Sequence, residues 1–193
     1  MLETKQVWGY ILCFMACTRA PLFYILWPSM QPEETAQFRS SLGLMLTPRQ
    51  VVDGIVKFMR ADDTYRYKVI IGSDSEKTAE DEADFVTAVV CHRLGNGGIY
   101  FWRAMKGGNC RILRNRIWQE VLMSIDIAKE IVELMKDAAA PVFDFEVHID
   151  VGEKGPTREL IQELVGVVRA NNFEARVKPH SYAASKIADR HVK

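Results

Sequence analysis

Four acidic residues stand where a carboxylate is unfavourable unless something uses its charge. Asp74 follows the apolar run Val69-Ile70-Ile71-Gly72-Ser73, so a strand end would hold it at the rim of a sheet. The plain alternative is a loop Asp that caps a turn. On a helix over residues 111–136, Leu113, Ile117, Val121, Ala128 and Ile131 mark a buried stripe at about 100° per residue. Glu120 falls at the edge of that stripe, in line with Leu113, Ser124 and Ile131, whereas Asp126, Lys129, Glu130 and Glu133 fall opposite. A charge among inward positions needs a partner or a metal; an Arg partner is the alternative. Asp150 closes the strand pattern FDFEVHID. If that strand lies beside the first, Asp150 and Asp74 share one sheet edge and repel without a cation; otherwise Asp150 is an isolated strand-end acid. Asp189 flanks the stripe Ala184, Ile187, Ala188 of a short last helix, where a surface acid is the default, and His191 beside it is a candidate for proton transfer.

Acids converging from strand ends and an inward helix face suit phosphodiester hydrolysis assisted by two divalent cations. Such cations lie about 3.5–4 Å apart and clamp the attacking and leaving oxygens, and Mg²⁺ takes oxygen ligands. Cations for a nucleic-acid backbone are also present. Arg111, Arg114 and Arg116 could form a basic wall with Lys106, Lys178 and Lys186, and Trp102 or Trp118 could stack on a base. Gly155-Pro156-Thr157-Arg158-Glu159 opens a helix, and Thr157 and Arg158 at its start suit a phosphate. An ordinary helix cap is the alternative there.

The elements that must position these groups follow from pattern. Thr47-Pro48-Arg49-Gln50 is a capping box with Pro at the first helical position, and Val51, Ile55, Phe58 and Met59 make the apolar face. Residues 65–73 read as a strand covered on both faces. Residues 84–94 and 99–105 are two further strands, joined by the Gly95-Asn96-Gly97-Gly98 turn, so the three form an antiparallel meander. Then come the long helix, a strand over 143–150 with one apolar face, a helix over 157–171, a short strand over 173–178 and a last helix over 183–191. The expected fold is α/β: a mixed five-stranded sheet, three antiparallel strands then two reached by helical crossovers, with flanking helices.

The chain has 193 residues, with 25 Lys+Arg against 25 Asp+Glu. Zero net charge excludes a protein that coats nucleic acid by bulk charge, but not a local basic groove. Cys13, Cys17, Cys91 and Cys110 form no zinc-spaced array, and Cys91 reads as a buried free thiol. Nothing requires an oxidising compartment, so a cytoplasmic location is expected. Residues 7–27 are the most apolar stretch, but Arg19 and Pro21 interrupt them, which argues against a membrane contact there. Residues 1–35 are read as an apolar extension and linker, with residues 31–41 polar, and 36–193 as the folded domain. An export signal, a start at Met30 or Met45, and a homodimer contact through the apolar segment are the other readings of this region.

The segments YKVIIGSDS (67–75), FVTAVVCHRLG (85–95), RNRIWQEVLMSIDIAKEI (114–131), HIDVGEKGPTRELIQELVGVV (148–168) and KPHSYAASKIADRHVK (178–193) resemble the YkuK family of predicted ribonuclease-H-like proteins. The similarity runs from about residue 38 to residue 193. It implies a ribonuclease-H-like fold and a carboxylate set in the order Asp, Glu, Asp, Asp/His. Asp74 matches the first-strand Asp, Glu120 the helix Glu, Asp150 the fourth-strand Asp and Asp189 the final-helix acid. The familiar first motif has Gly after its Asp; here Ser75 follows Asp74. Three functions stay open at this point. One is a nuclease using two Mg²⁺ or Mn²⁺ ions on RNA, DNA or a hybrid. Another is a nucleic-acid-binding module of the same fold without turnover. The last is a nucleotide-phosphate enzyme, with DVGEKGPT as a phosphate loop.

Overall fold

The computed structural model describes residues 37–79, 81–152 and 158–192. Residues 1–35, with the apolar segment 7–27, and Thr157 lie outside them. The described elements are β1 (Phe38–Ser40), β2 (Met45–Leu46), α1 (Pro48–Arg60), β3 (Tyr67–Lys77), β4 (Glu82–Arg93), β5 (Gly98–Gly108), α2 (Leu113–Asp137), β6 (Asp144–His148), α3 (Ile161–Ala170), β7 (Glu174–Arg176) and α4 (Asp189–His191). A 3₁₀ turn at Arg158–Leu160 precedes α3, and a π-helical segment at Ala183–Ala188 precedes α4.

The strands form one mixed sheet in the order β2-β1-β5-β4-β3-β6-β7. β3, β4 and β5 are the antiparallel meander, with Gly95 and Gly97 at positive φ in the tight turn between β4 and β5. β6 joins β3 in parallel, and β7 joins β6 in parallel, each after a helical crossover. The sheet thus has seven strands among the described residues where five were expected. One addition, β1, comes from the stretch 31–41 read as polar: Phe38 is fully buried, and Arg39 and Ser40 pair with Trp102 and Phe101 at the edge of β5, while β2, just beyond that stretch, pairs with β1. The pairing of β1 with β5 depends on partners 61 and 63 positions away, which local polarity does not report.

The two faces of β3 explain its apolar run. Val69 and Ile71 face a large core built with α1, α2 and α3, whereas Ile70 faces a smaller core closed by Ala183, Ala188 and Val192. Each such side chain buried fully contributes about 1.5–3 kcal/mol. The capping box at Thr47 forms as read, with Thr47 and Gln50 exchanging both bonds. In α2, Asp126, Lys129, Glu130 and Glu133 are exposed as the pattern requires, but Leu113 at its start is exposed too. β6 departs further. It ends at His148, not at Asp150, and both its faces are covered, so Glu146 and His148 are buried. The cover is the chain returning over the second face: the Ala183 N–H donates to His148 Nδ1 at 3.2 Å. No helix among the described residues is long and apolar enough to cross a membrane.

Candidate functional site

The register of β3 and β6 ends at Gly72 opposite His148; two residues beyond it lie Asp150, in the loop after β6, and Asp74, which is inside β3 because pairing with β4 carries that strand on to Lys77, where the sequence pattern implied an end at residue 73. Asp74, on the same face of β3 as Ile70, looks toward the C-terminal segment, whose Asp189 opens α4. Glu120 approaches from the other layer, on the inward face of α2.

Two polar rungs set the height of α2 against β3. Ser73 Oγ lies 2.8 Å from Ser124 Oγ and 2.7 Å from Thr87 Oγ1, all three buried. One step along, the Ser75 hydroxyl donates to Glu120 Oε1 at 2.5 Å. Two strand residues rise about 6.8 Å and four helix residues about 6.0 Å, so positions 73 and 75 match positions 124 and 120. Ser75, the departure from the familiar Asp-Gly pair, therefore supports the very carboxylate the helix pattern singled out.

The acids act on one another. Burial above all, with the charges of Asp150 and Asp189, raises the Asp74 carboxyl from 3.8 to about 6 against the Ser75 N–H and the Lys178 charge. Burial likewise pushes Glu120 from 4.5 up to about 8, helped by Asp74 and Asp150 and opposed by the Ser75 hydroxyl and Arg116. Glu120 is only 7% exposed, so the loss of water dominates. The Arg partner that would have made it structural does not bond it; Arg116 acts only through its field. Asp150 is divided: Oδ2 accepts from Lys178 Nζ at 2.9 Å, while Oδ1 is buried with no partner.

These residues fit a hard divalent cation in three respects. The donors are all carboxylate and hydroxyl oxygens, they are mutually repelling, and one buried oxygen has nothing to bond. As the side chains lie, no three acids, His or Cys among the described residues stand close enough to share one ion. Ser75 holds Glu120 and Lys178 holds Asp150.

The remaining sequence candidates divide. Arg111, Arg158 and Lys186 are exposed. Arg114 is tied to Glu163 of α3 at 2.6 Å. His191 stacks on Trp102 at 4.4 Å, with Arg39 5.1 Å from the same indole, so this ring and Trp102 serve the second core. Trp118 packs on the larger core. Cys91 is a buried free thiol, as read. Sequence reasoning missed the polar set beneath the C-terminal segment. Glu146 accepts from Lys68 Nζ at 2.7 Å, Arg176 Nε at 3.2 Å and His148 Nε2 at 3.3 Å. Local order gave no signal for it, because residues 146 and 148 share the face of β6 that the distant C-terminal segment covers.

A three-strand meander extended by two parallel strands, with acids at the carboxyl ends of the central pair, defines a ribonuclease-H-like domain. The Ribonuclease H-like family profile matches residues 50–193. The Bacillus subtilis (strain 168) protein named "Uncharacterized protein YkuK" is 33% identical over 162 residues, covering 77% of this chain and 92% of that one. The chain belongs to the YkuK family of ribonuclease-H-like proteins, and its fold is nuclease-related. No solved structure matches it significantly.

Proposed function

We propose that the chain is a metal-dependent nuclease acting on phosphodiester bonds of RNA or DNA. The observation that carries this reading is Glu120: a carboxylate buried in a helix face, turned to the sheet end, coupled to Asp74 and Asp150, with a serine rather than a cation as its bonded partner. Mg²⁺ or Mn²⁺, two ions held by Asp74, Glu120, Asp150 and Asp189, would polarise the phosphate and lower the pKa of the attacking water. Asp74 and Asp150 would each offer a carboxylate to these ions. Glu120 holds a proton below about pH 8 and releases it when countercharge arrives. Asp189, exposed on α4, would complete the set from the other layer. Arg111, Arg158 and Lys186 offer exposed cations for the sugar-phosphate backbone, and Thr157 stays a candidate for a phosphate beside Arg158.

The full chain is to be incubated with labelled RNA/DNA hybrid, single-stranded RNA, single-stranded DNA and branched DNA, with Mg²⁺ or Mn²⁺, beside Asp74→Asn. At least one substrate is expected to be cut. Asp74→Asn should lose more than about a hundredfold, beyond the 10–100-fold typical of an outer partner. Cleavage that survives the substitution refutes the mechanism. Binding without cleavage on every substrate favours a nucleic-acid-binding module, the reading that suits acids held apart by Ser75 and Lys178.

A further inference from the structure

We propose that Lys178 is the built-in countercharge of the carboxylate cluster and competes with a divalent cation for it. This inference rests on the metal reading above and assigns a residue that the family's acid set does not contain. Lys178 Nζ lies 2.9 Å from Asp150 Oδ2, and the Asp150 side chain is only 18% exposed. The bond is not a chance meeting of two long side chains. The Lys178 N–H donates to the Val151 carbonyl at 2.9 Å, and the Lys178 stem lies over Gly152, where an added Cβ would meet Lys178 Cβ at 3.3 Å. The strand-end loop that carries Asp150 thus grips the backbone and stem of the lysine that neutralises it. The same ammonium acts on Asp74 across the site, opposing the push from Asp150 and Asp189.

The free oxygen completes the argument. Asp150 Oδ1 is buried and unpartnered, so the carboxylate gives one oxygen to the lysine and leaves the other unbonded. A divalent cation drawn to that oxygen meets the field of a neighbouring ammonium. Either the two cations repel while sharing Asp150, or Lys178 swings to solvent, where half of its side chain already lies. In both cases ion binding and the Lys178 contact oppose each other. Removing the charge must then tighten the ion. It must also loosen the ion-free protein, whose acids lose their neutraliser. A plain surface ion pair does neither to a measurable extent.

The test uses the full chain as wild type, Lys178→Met, Lys178→Gln and Lys178→Arg, without substrate. Mn²⁺ affinity is read by calorimetric titration, and Tm is read with and without Mn²⁺. The methionine and glutamine variants should bind Mn²⁺ about tenfold more tightly, the effect of relieving one like charge at partly screened range. Both should melt below wild type in its absence, and the arginine variant should stay within about twofold of wild type because it keeps the charge. Equal or weaker Mn²⁺ binding by both uncharged variants overturns this inference while leaving the metal reading standing. Absence of Mn²⁺ binding in all four, or undiminished binding in Asp74→Asn, overturns the metal reading and this inference with it.

Discussion

Glu120→Gln isolates the electrostatic strain at the centre of the site. The folded-state pKa of Glu120, about 8, lies above its ordinary value of 4.5. Between those two pH values the folded chain keeps a proton that the unfolded chain has released. Stability therefore falls as pH rises through the window. Carried through linkage, the gap between 4.5 and about 8 sets an upper limit of about 5 kcal/mol on the cost of ionising this side chain in place. Glutamine is nearly isosteric, carries no charge and still accepts from the Ser75 hydroxyl. Wild type and Glu120→Gln should thus melt alike at pH 5 in EDTA. At pH 9 the variant should be the more stable, by up to about 20 °C at 2–4 °C per kcal/mol for a domain of this size. Asp74, raised to about 6, steepens the wild-type pH dependence in the same direction and is common to both proteins. Thermal unfolding followed by circular dichroism from pH 5 to pH 9 decides the matter. A difference that does not grow with pH, or a wild type that is the more stable at pH 9, refutes the reasoning.

Two further substitutions probe how the site is held. Ser73→Ala removes the hydroxyl shared by Thr87 and Ser124, leaving two buried hydroxyls short of a partner; urea unfolding should show a loss of about 1–3 kcal/mol. Glu146→Ala leaves His148, Lys68 and Arg176 without their common acceptor. It should cost about 3 kcal/mol at neutral pH. Although burial pushes the Glu146 carboxyl up, bonds from Lys68, His148 and Arg176 hold it below 4.5, so its contribution is present above that pH and fades as pH falls through the lowered value. A Glu146→Ala deficit that persists undiminished at pH 3 in urea unfolding would contradict this account.

Elements governed by neighbours in the chain were legible from residue order. The Thr47 box, the paired Gly turn before β5, the doubly covered run at residues 69–71 and the solvated side of α2 all depend on contacts within a few residues, or on a period that burial imposes. The positions of Asp74 and Glu120 were legible for the same reason, since each breaks a pattern it sits in. Partners distant in sequence were not. Ser75 read as a departure from a motif until Glu120, 45 positions on, was seen to accept from it. Lys178 read as one more basic residue until the parallel pairing of β6 with β7 set Asp150 within its reach. Glu146 and His148 read as a solvent-facing alternation, because nothing local records that residues 181–192 fold back over them. Periodicity encodes which face of an element is inward. What meets that face is decided by chain reversal and strand register, and these are properties of the assembled sheet.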